Sequence, residues 1–159
     1  MSKTMFTGYT VEIRGLDNLL NWLRHANPKL EKAMRKGLKE SMSPVLERAR
    51  ANAKRIQDDA TYAESLSIAT RKRGVQYVLK STDPNAPVKE FAREGAVMIK
   101  SRTNTERSRK MVAEHAKVGV PHRANAPRVM VPAVQDSADE VRERIAECME
   151  KILKEAGRG

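Results

Sequence analysis

The chain has 159 residues, carries a net charge of +11, and is 40% hydrophobic and 32% charged. This length predicts a single domain with one modest core, and an aromatic content of 4% argues against a β-sandwich or barrel rich in aromatic strand residues. No apolar run is long enough to cross a membrane and the first ten residues lack the apolar core of a signal peptide, so we expect synthesis and assembly in the cytoplasm.

The first predicted elements are a short strand and a helix. Val11 and Ile13 alternate with polar neighbours, which is typical of a strand. Residues 15–20 then open a short helix, and Asn27 followed by Pro28 predicts the N-cap and first position of the next one. Leucines recur on one face of the first helix: Leu16, Leu19, Leu20 and Leu23.

A long helix is predicted after Pro28, with lysines and arginines opposite its apolar stripe. Pro44 interrupts it, because a proline inside a helix lacks an N–H and clashes with the carbonyl four residues back. The apolar register continues through the proline, so a single kinked helix is favoured over two separate helices. The stripe consists of Leu30, Met34, Leu38, Met42, Val45, Ala49, Ala53 and Ile56.

A hairpin and a loop follow. Residues 61–70 predict a helical turn that leads into a strand, and residues 75–79 predict a second strand. Gly74 can take the positive φ that a hairpin turn between them requires. Residues 83–87 carry a loop signal of Asp, Asn and two prolines.

Residues 100–128 form a basic region with eight Lys or Arg against two Glu, a net charge of +6. Little apolar periodicity occurs in its middle, so we predict a long surface loop with a helical piece at residues 108–116. Long loops inside compact domains are usually functional or disordered. The candidate residues for contact with a DNA channel or for docking on a partner are Lys100, Arg102, Arg107, Arg109, Lys110, Lys117, Arg123 and Arg128.

The C-terminal part predicts a final strand at residues 128–131 and a helix that begins at Pro132. The helix keeps a near-heptad apolar stripe of Val134, Ala138, Val141, Ile145, Cys148 and Ile152. The fold class is therefore α+β: a long helix packed across a small antiparallel sheet, with a C-terminal helix and a long basic loop. One domain is predicted over residues 1–159, with a helix-and-sheet core (10–95), a basic loop (96–127), and the final strand and helix (128–156).

The sequence contains no motif typical of a catalytic, metal-binding or cofactor-binding site. The glycines are scattered, so no phosphate-binding loop is present, and His25, His115 and His122 lie far apart. Cys148, the single cysteine, is predicted to be a small buried hydrophobe. We predict no catalytic residues, no metal and no cofactor. The basic region has no Phe, Tyr or Trp, so any contact with nucleic acid would be to phosphate.

Five segments in order resemble the neck and tail-completion family of long-tailed bacteriophages, whose members include minor tail and head–tail joining proteins. Residues 11–19 resemble the family's strand followed by a "G-L-D-x-L" helix start, and residues 51–54 its "A-x-A-K" helix end. Residues 61–66 stand in place of "T-G-x-L-x-x-S-L", with Tyr62 where the family has glycine. Residues 91–95 stand in place of "E-F-G", and residues 127–133 are similar to "P-x-x-F-L-x-P-A".

The resemblance implies a non-enzymatic structural virion protein that forms a ring around the DNA channel at the head–tail joint. A hexamer is the expected default and a dodecamer the alternative. Its implied neighbours are head-completion or connector proteins and tail-terminator proteins, with non-specific contact to packaged DNA and no membrane. The charge keeps open an alternative, a small basic DNA- or RNA-binding protein, and behind it a small toxin-type ribonuclease.

Overall fold

The computed structural model describes residues 10–56, 61–71, 76–84, 86–93, 105–110, 113, 120–121 and 127–158. It confirms the α+β class, with helices packed on a small antiparallel sheet. In chain order the elements are β1 (Thr10–Glu12), α1 (Leu16–Ala26), α2 (Pro28–Glu40), α3 (Ser43–Ile56), α4 (Thr61–Ser65), β2 (Leu66–Arg71), β3 (Gln76–Ser81), α5 (Ala86–Phe91), β4 (Ala92–Arg93), β5 (Val120–Pro121) and α6 (Met130–Gly157).

The starts of α1 and α2 are set by local sequence. Gly15 precedes α1 with a φ of 76°, and no atom would meet a Cβ there, so the backbone conformation is the reason for glycine. The side chain of Asn27 accepts hydrogen bonds from the backbone N–H groups of Lys29 (3.1 Å) and Leu30 (3.4 Å). Pro28 occupies the first position of α2, where its missing N–H costs nothing. This boundary is confirmed as predicted.

The single kinked helix was the wrong choice, because the structure has two helices, α2 and α3. The first ends at Glu40, the residue four before Pro44, and its carbonyl is the one with which the proline ring would clash in a continuous helix. At the break the N–H of Met42 bonds to the carbonyl of Lys39, and the N–H of Val45 to that of Met42. Pro44 then lies in the first turn of α3, where no hydrogen bond is lost.

The main sheet has three strands in the order β1-β3-β2, and both pairings are antiparallel. The predicted hairpin is confirmed, with Leu66 opposite Ser81 and Arg71 opposite Gln76. The turn itself lies outside the described residues. Three successive residues of the central strand β3 are buried, so the sheet forms one wall of the core: Tyr77, Val78 and Leu79.

Helix α3 contacts both the sheet and the C-terminal helix. Arg48 donates to the carbonyl of Asp136 (2.6 Å) and to the hydroxyl of Ser137 (2.8 Å), both on α6. Arg50 donates to the carbonyl of Leu66 at the start of β2, at 3.2 Å. These bonds flank an apolar core to which α1, α2, α3, the sheet and α6 contribute. The predicted core residues Leu38, Met42, Val45 and Ile152 are buried, and Ile145 is partly buried.

The predicted final strand at residues 128–131 is wrong. Met130 begins the 28-residue helix α6, two residues before the predicted start at Pro132. The carboxylate of Glu90 explains the difference, since it accepts hydrogen bonds from the N–H groups of Val129 and Met130 that a strand would have to satisfy elsewhere. None of the helices within the described ranges is both long and apolar enough to cross a membrane.

Candidate functional site

The basic region predicted from the sequence is described in part. Arg107 and Arg109 are exposed, and the exposed Lys110 pairs with Glu106 at 2.7 Å. Arg128 is half-buried, and its Nε donates to the carbonyl of Lys89 at 2.8 Å. It is therefore part of the body, not of an exposed basic surface. The remaining candidates lie outside the described residues: Lys100, Arg102, Lys117 and Arg123.

A short helical turn carries the exposed arginines. Residues 106–110 are helical, so the predicted piece begins two residues before Ser108. The hydroxyl of Thr105 accepts from the N–H of Ser108 (3.2 Å), and the hydroxyl of Ser108 accepts from the N–H of Thr105 (3.1 Å). This reciprocal arrangement is a capping box, which fixes the start of the turn. Ser108 faces inward, so Arg107 and Arg109 on either side point to solvent.

The two ends of the surrounding segment are held together. Strand β4 pairs with β5 in an antiparallel two-residue ladder, with Ala92 opposite Pro121 and Arg93 opposite Val120. The ladder therefore brings together Arg93 and Val120, which lie on either side of the basic turn in the sequence. Sequence reasoning missed this ladder, because two residues on each side are too few to show a period.

Buried charged groups lie on α5, the helix that precedes β4 in the chain. Glu90 is fully buried on α5, and Oε1 accepts the N–H of Met130 at 3.0 Å and that of Val129 at 3.3 Å. Burial raises the pKa of Glu90, while the hydrogen bonds from the start of α6 and the charge of Arg128 oppose that rise. The carboxylate thus caps α6 at the cost of its own desolvation.

Next to Glu90, Lys89 and Asp83 form a buried ion pair. The Nζ of Lys89 lies 2.5 Å from Oδ2 of Asp83, with side-chain exposures of 4% and 8%. Lys89 also lies over the ring of Tyr62, 5.2 Å from its centroid. Burial raises the pKa of Tyr62, and its hydroxyl has no hydrogen-bond partner of good geometry among the described residues. These side chains face one another and the protein interior, so they hold α4, α5 and α6 together.

The sulfur of Cys148 lies in an open groove of about 480 Å³ between α2 and α6. The thiol is half-buried, not fully buried as predicted, and burial raises its pKa, so it stays protonated at neutral pH. Lysines and glutamates of both helices line the groove: Lys36, Glu40, Glu147, Lys151 and Glu155. Within the ranges that the structure describes, no group of three or more His, Cys, Asp or Glu is placed to hold a metal.

The surface that best fits the sequence prediction is therefore the exposed basic turn at residues 105–110, whose start is fixed by the Thr105–Ser108 capping box. Its chemistry is charge without aromatic stacking, which suits phosphate or carboxylate partners. No family model, curated protein or solved structure matches this chain.

Proposed function

We propose that the chain is a structural subunit of a long-tailed phage virion that assembles into a ring at the head–tail joint. A single observation carries the proposal. The basic turn at residues 105–110 exposes Arg107, Arg109 and Lys110, and its start is fixed by the reciprocal hydrogen bonds between Thr105 and Ser108. An exposed, charged turn with a defined start suits a subunit that joins other proteins, because docking requires the contact residues to be held in place.

The order of the elements supports the same proposal. A short strand, a glycine-started helix, a basic helical stretch, a hairpin and a closing helix follow one another, and the resemblance implies that arrangement. The helical stretch is two helices here, α2 and α3, and the order of the elements is kept. Location at the head–tail joint, with assembly in the host cytoplasm, remains part of the proposal.

The basic turn has two candidate roles in such a ring. It can dock on an acidic neighbouring protein, or it can face the channel and contact DNA phosphates. We favour docking, because exposed arginines along the lumen would tend to hold DNA during ejection. The capping box at Thr105 and Ser108 supports docking too, since a defined turn gives a defined contact geometry.

Neutralising Arg107, Arg109 and Lys110 together to glutamine in the parent phage tests the role of the turn. Docking predicts separate filled heads and free tails, whereas channel contact predicts joined particles that retain or eject DNA abnormally. Lys29, Lys32 and Lys39 on α2 are also exposed, so their neutralisation is the control with the same change of charge. A normal infectious yield from the variant with Arg107, Arg109 and Lys110 all neutralised would contradict both roles.

Imaging of intact particles with a label on this protein tests the location. A label at the head–tail joint supports the proposal, and a label elsewhere contradicts it.

The second candidate function, a small basic DNA- or RNA-binding protein, is favoured by the net charge of +11. This second function predicts that light scattering finds a monomer or dimer and that the affinity for DNA falls steeply as salt is added. It also predicts that the protein is absent from phage particles.

A further inference from the structure

The outer face of α6 is an acidic surface on a basic protein. It consists of the exposed residues that face away from the core: Asp139, Arg142, Glu143, Ala146, Glu150 and Leu153. Three carboxylates and one guanidinium give this face a charge of −2, whereas the whole chain carries +11. Leu153, at 43% exposure, adds an apolar contact at its C-terminal end. The face extends about 21 Å along the helix, at 1.5 Å per residue.

The basic turn at residues 105–110 has the matching charge. Three basic residues and Glu106 give it a charge of +2. Among the described residues no carboxylate pairs with Arg107 or Arg109, and no basic group pairs with Glu143. On the face of α6, Asp139 pairs with Arg142 and Glu150 pairs with the neighbouring Lys154. Glu143 on the face, and Arg107 and Arg109 on the turn, are therefore the charges that the described residues leave to be neutralised by another molecule. Burying either one in an interface would be costly unless an opposite charge met it.

We infer that the outer face of α6 in one copy binds the basic turn of the next copy. The inference rests on the proposed function, because a ring requires a head-to-tail interface in which two different surfaces of each subunit meet. A second copy satisfies both surfaces at once. The next copy of the chain thereby takes the docking role of the acidic neighbouring protein in the proposed function, whereas DNA would neutralise only the basic turn and would be repelled by the face of α6.

Exchanging the two charges tests the interface in the full-length chain. Arg107→Glu/Arg109→Glu changes the turn from +2 to −2, and Glu143→Lys/Glu150→Lys changes the outer face from −2 to +2. Each double variant alone places like charges opposite each other, so its self-association should weaken by roughly tenfold or more. In an equimolar mixture the acidic turn of one variant meets the basic face of the other, so association should return to the wild-type level.

Sedimentation velocity at several salt concentrations provides the measurement. The wild-type chain should self-associate at low ionic strength and less so as salt screens the charges. Lys32→Glu/Lys39→Glu makes the same change of charge on exposed positions of α2 and should leave association intact. The single variants Arg109→Gln and Glu143→Gln, which disturb the fold least, should weaken association in the same direction.

Three results would overturn the inference: a wild-type chain that stays monomeric at every salt concentration, a mixture no better than its separate variants, or equal loss in the α2 control. The proposed function fails separately, through the location of the label in particles. A ring at the head–tail joint that ignores the charge exchange would remove this interface and keep the function. If mixing the two variants restored association but the label lay away from the head–tail joint, the interface would stand and the proposed function would fail.

Discussion

The carboxylate of Glu90 on α5 accepts a hydrogen bond from the backbone N–H of Met130, forty residues later, at 3.0 Å. The first N–H groups of a helix have no partner within the helix, and here a buried side chain from another element provides one. Two opposing effects act on this carboxylate. Burial disfavours its charge, whereas the N–H groups and the positive end of the helix favour it.

Replacing Glu90 by Gln should reveal which effect dominates. Burial raises the pKa of Glu90 in the folded state, so between its usual value and the raised one the folded protein binds more protons than the unfolded chain. The free energy of unfolding therefore falls as pH rises through this window. Glutamine does not titrate, so the stability of wild type relative to Glu90→Gln should fall with rising pH in urea titrations between pH 4 and 8. A difference that stays constant or grows would contradict the assignment.

Glu31 should behave in the opposite way. Its carboxylate bonds to Arg35 (2.5 Å) and Arg24 (3.4 Å), and the hydrogen bond from Arg35 is the main reason why its pKa is lowered. The stabilisation is then fully present above the usual pKa and is lost as pH falls through the lowered one. Glu31→Gln should destabilise by about 1–3 kcal/mol at pH 7, and by little at pH 3. Equal loss at both pH values would show that packing, not charge, is responsible.

Gly37 and Cys148 should be coupled. A Cβ on Gly37 would lie 2.5 Å from the sulfur of Cys148 and 3.8 Å from its Cβ. Gly37→Ala should cost about 1–3 kcal/mol through overpacking, reduced by the roughly 1 kcal/mol that alanine gains over glycine in a helix. In Gly37→Ala/Cys148→Ala the sulfur is absent, so the double variant should be more stable than the sum of the single changes predicts. Strict additivity in the cycle would contradict the close contact.

Leu38 tests the buried face of α2. It is fully buried in the apolar core, so Leu38→Ala should lower the free energy of unfolding by roughly 2–5 kcal/mol. Lys39→Ala, the exposed neighbour on the same helix, should change it by less than about 0.5 kcal/mol. Chemical unfolding of both variants measures the difference. A loss at Leu38 below about 0.5 kcal/mol would mean that this face is not in the core.

The parts of the fold that sequence predicted well depend on neighbouring residues. The start of α2 follows from Asn27 and Pro28 alone, and the β2–β3 hairpin follows from two adjacent strand patterns. The final strand at residues 128–131 failed because its β-branched valines favour a strand locally. Glu90 overrides that preference from a distance that no local pattern contains.

The sequence predicted which residues of the candidate site are basic and exposed, but it did not predict the contacts that these residues make. The basic excess between residues 100 and 128 located Arg107, Arg109 and Lys110 correctly as exposed. It also included Arg128, whose role in the body depends on the carbonyl of Lys89. One local signal was available and unused, since Thr105 followed by Ser108 forms the capping box that starts the helical turn.

The β4–β5 ladder closes a loop in the chain. Arg93 and Val120 face each other across the ladder, so the two ends of the segment between them are held side by side. The entropic cost of closing a loop rises slowly with its length, by about 0.6 kcal/mol for each doubling. A change in the number of residues between Arg93 and Val120 should therefore cost little closure entropy, provided that it spares the buried Ser108. Length variation at this point would let the contacts of a subunit diverge faster than its core.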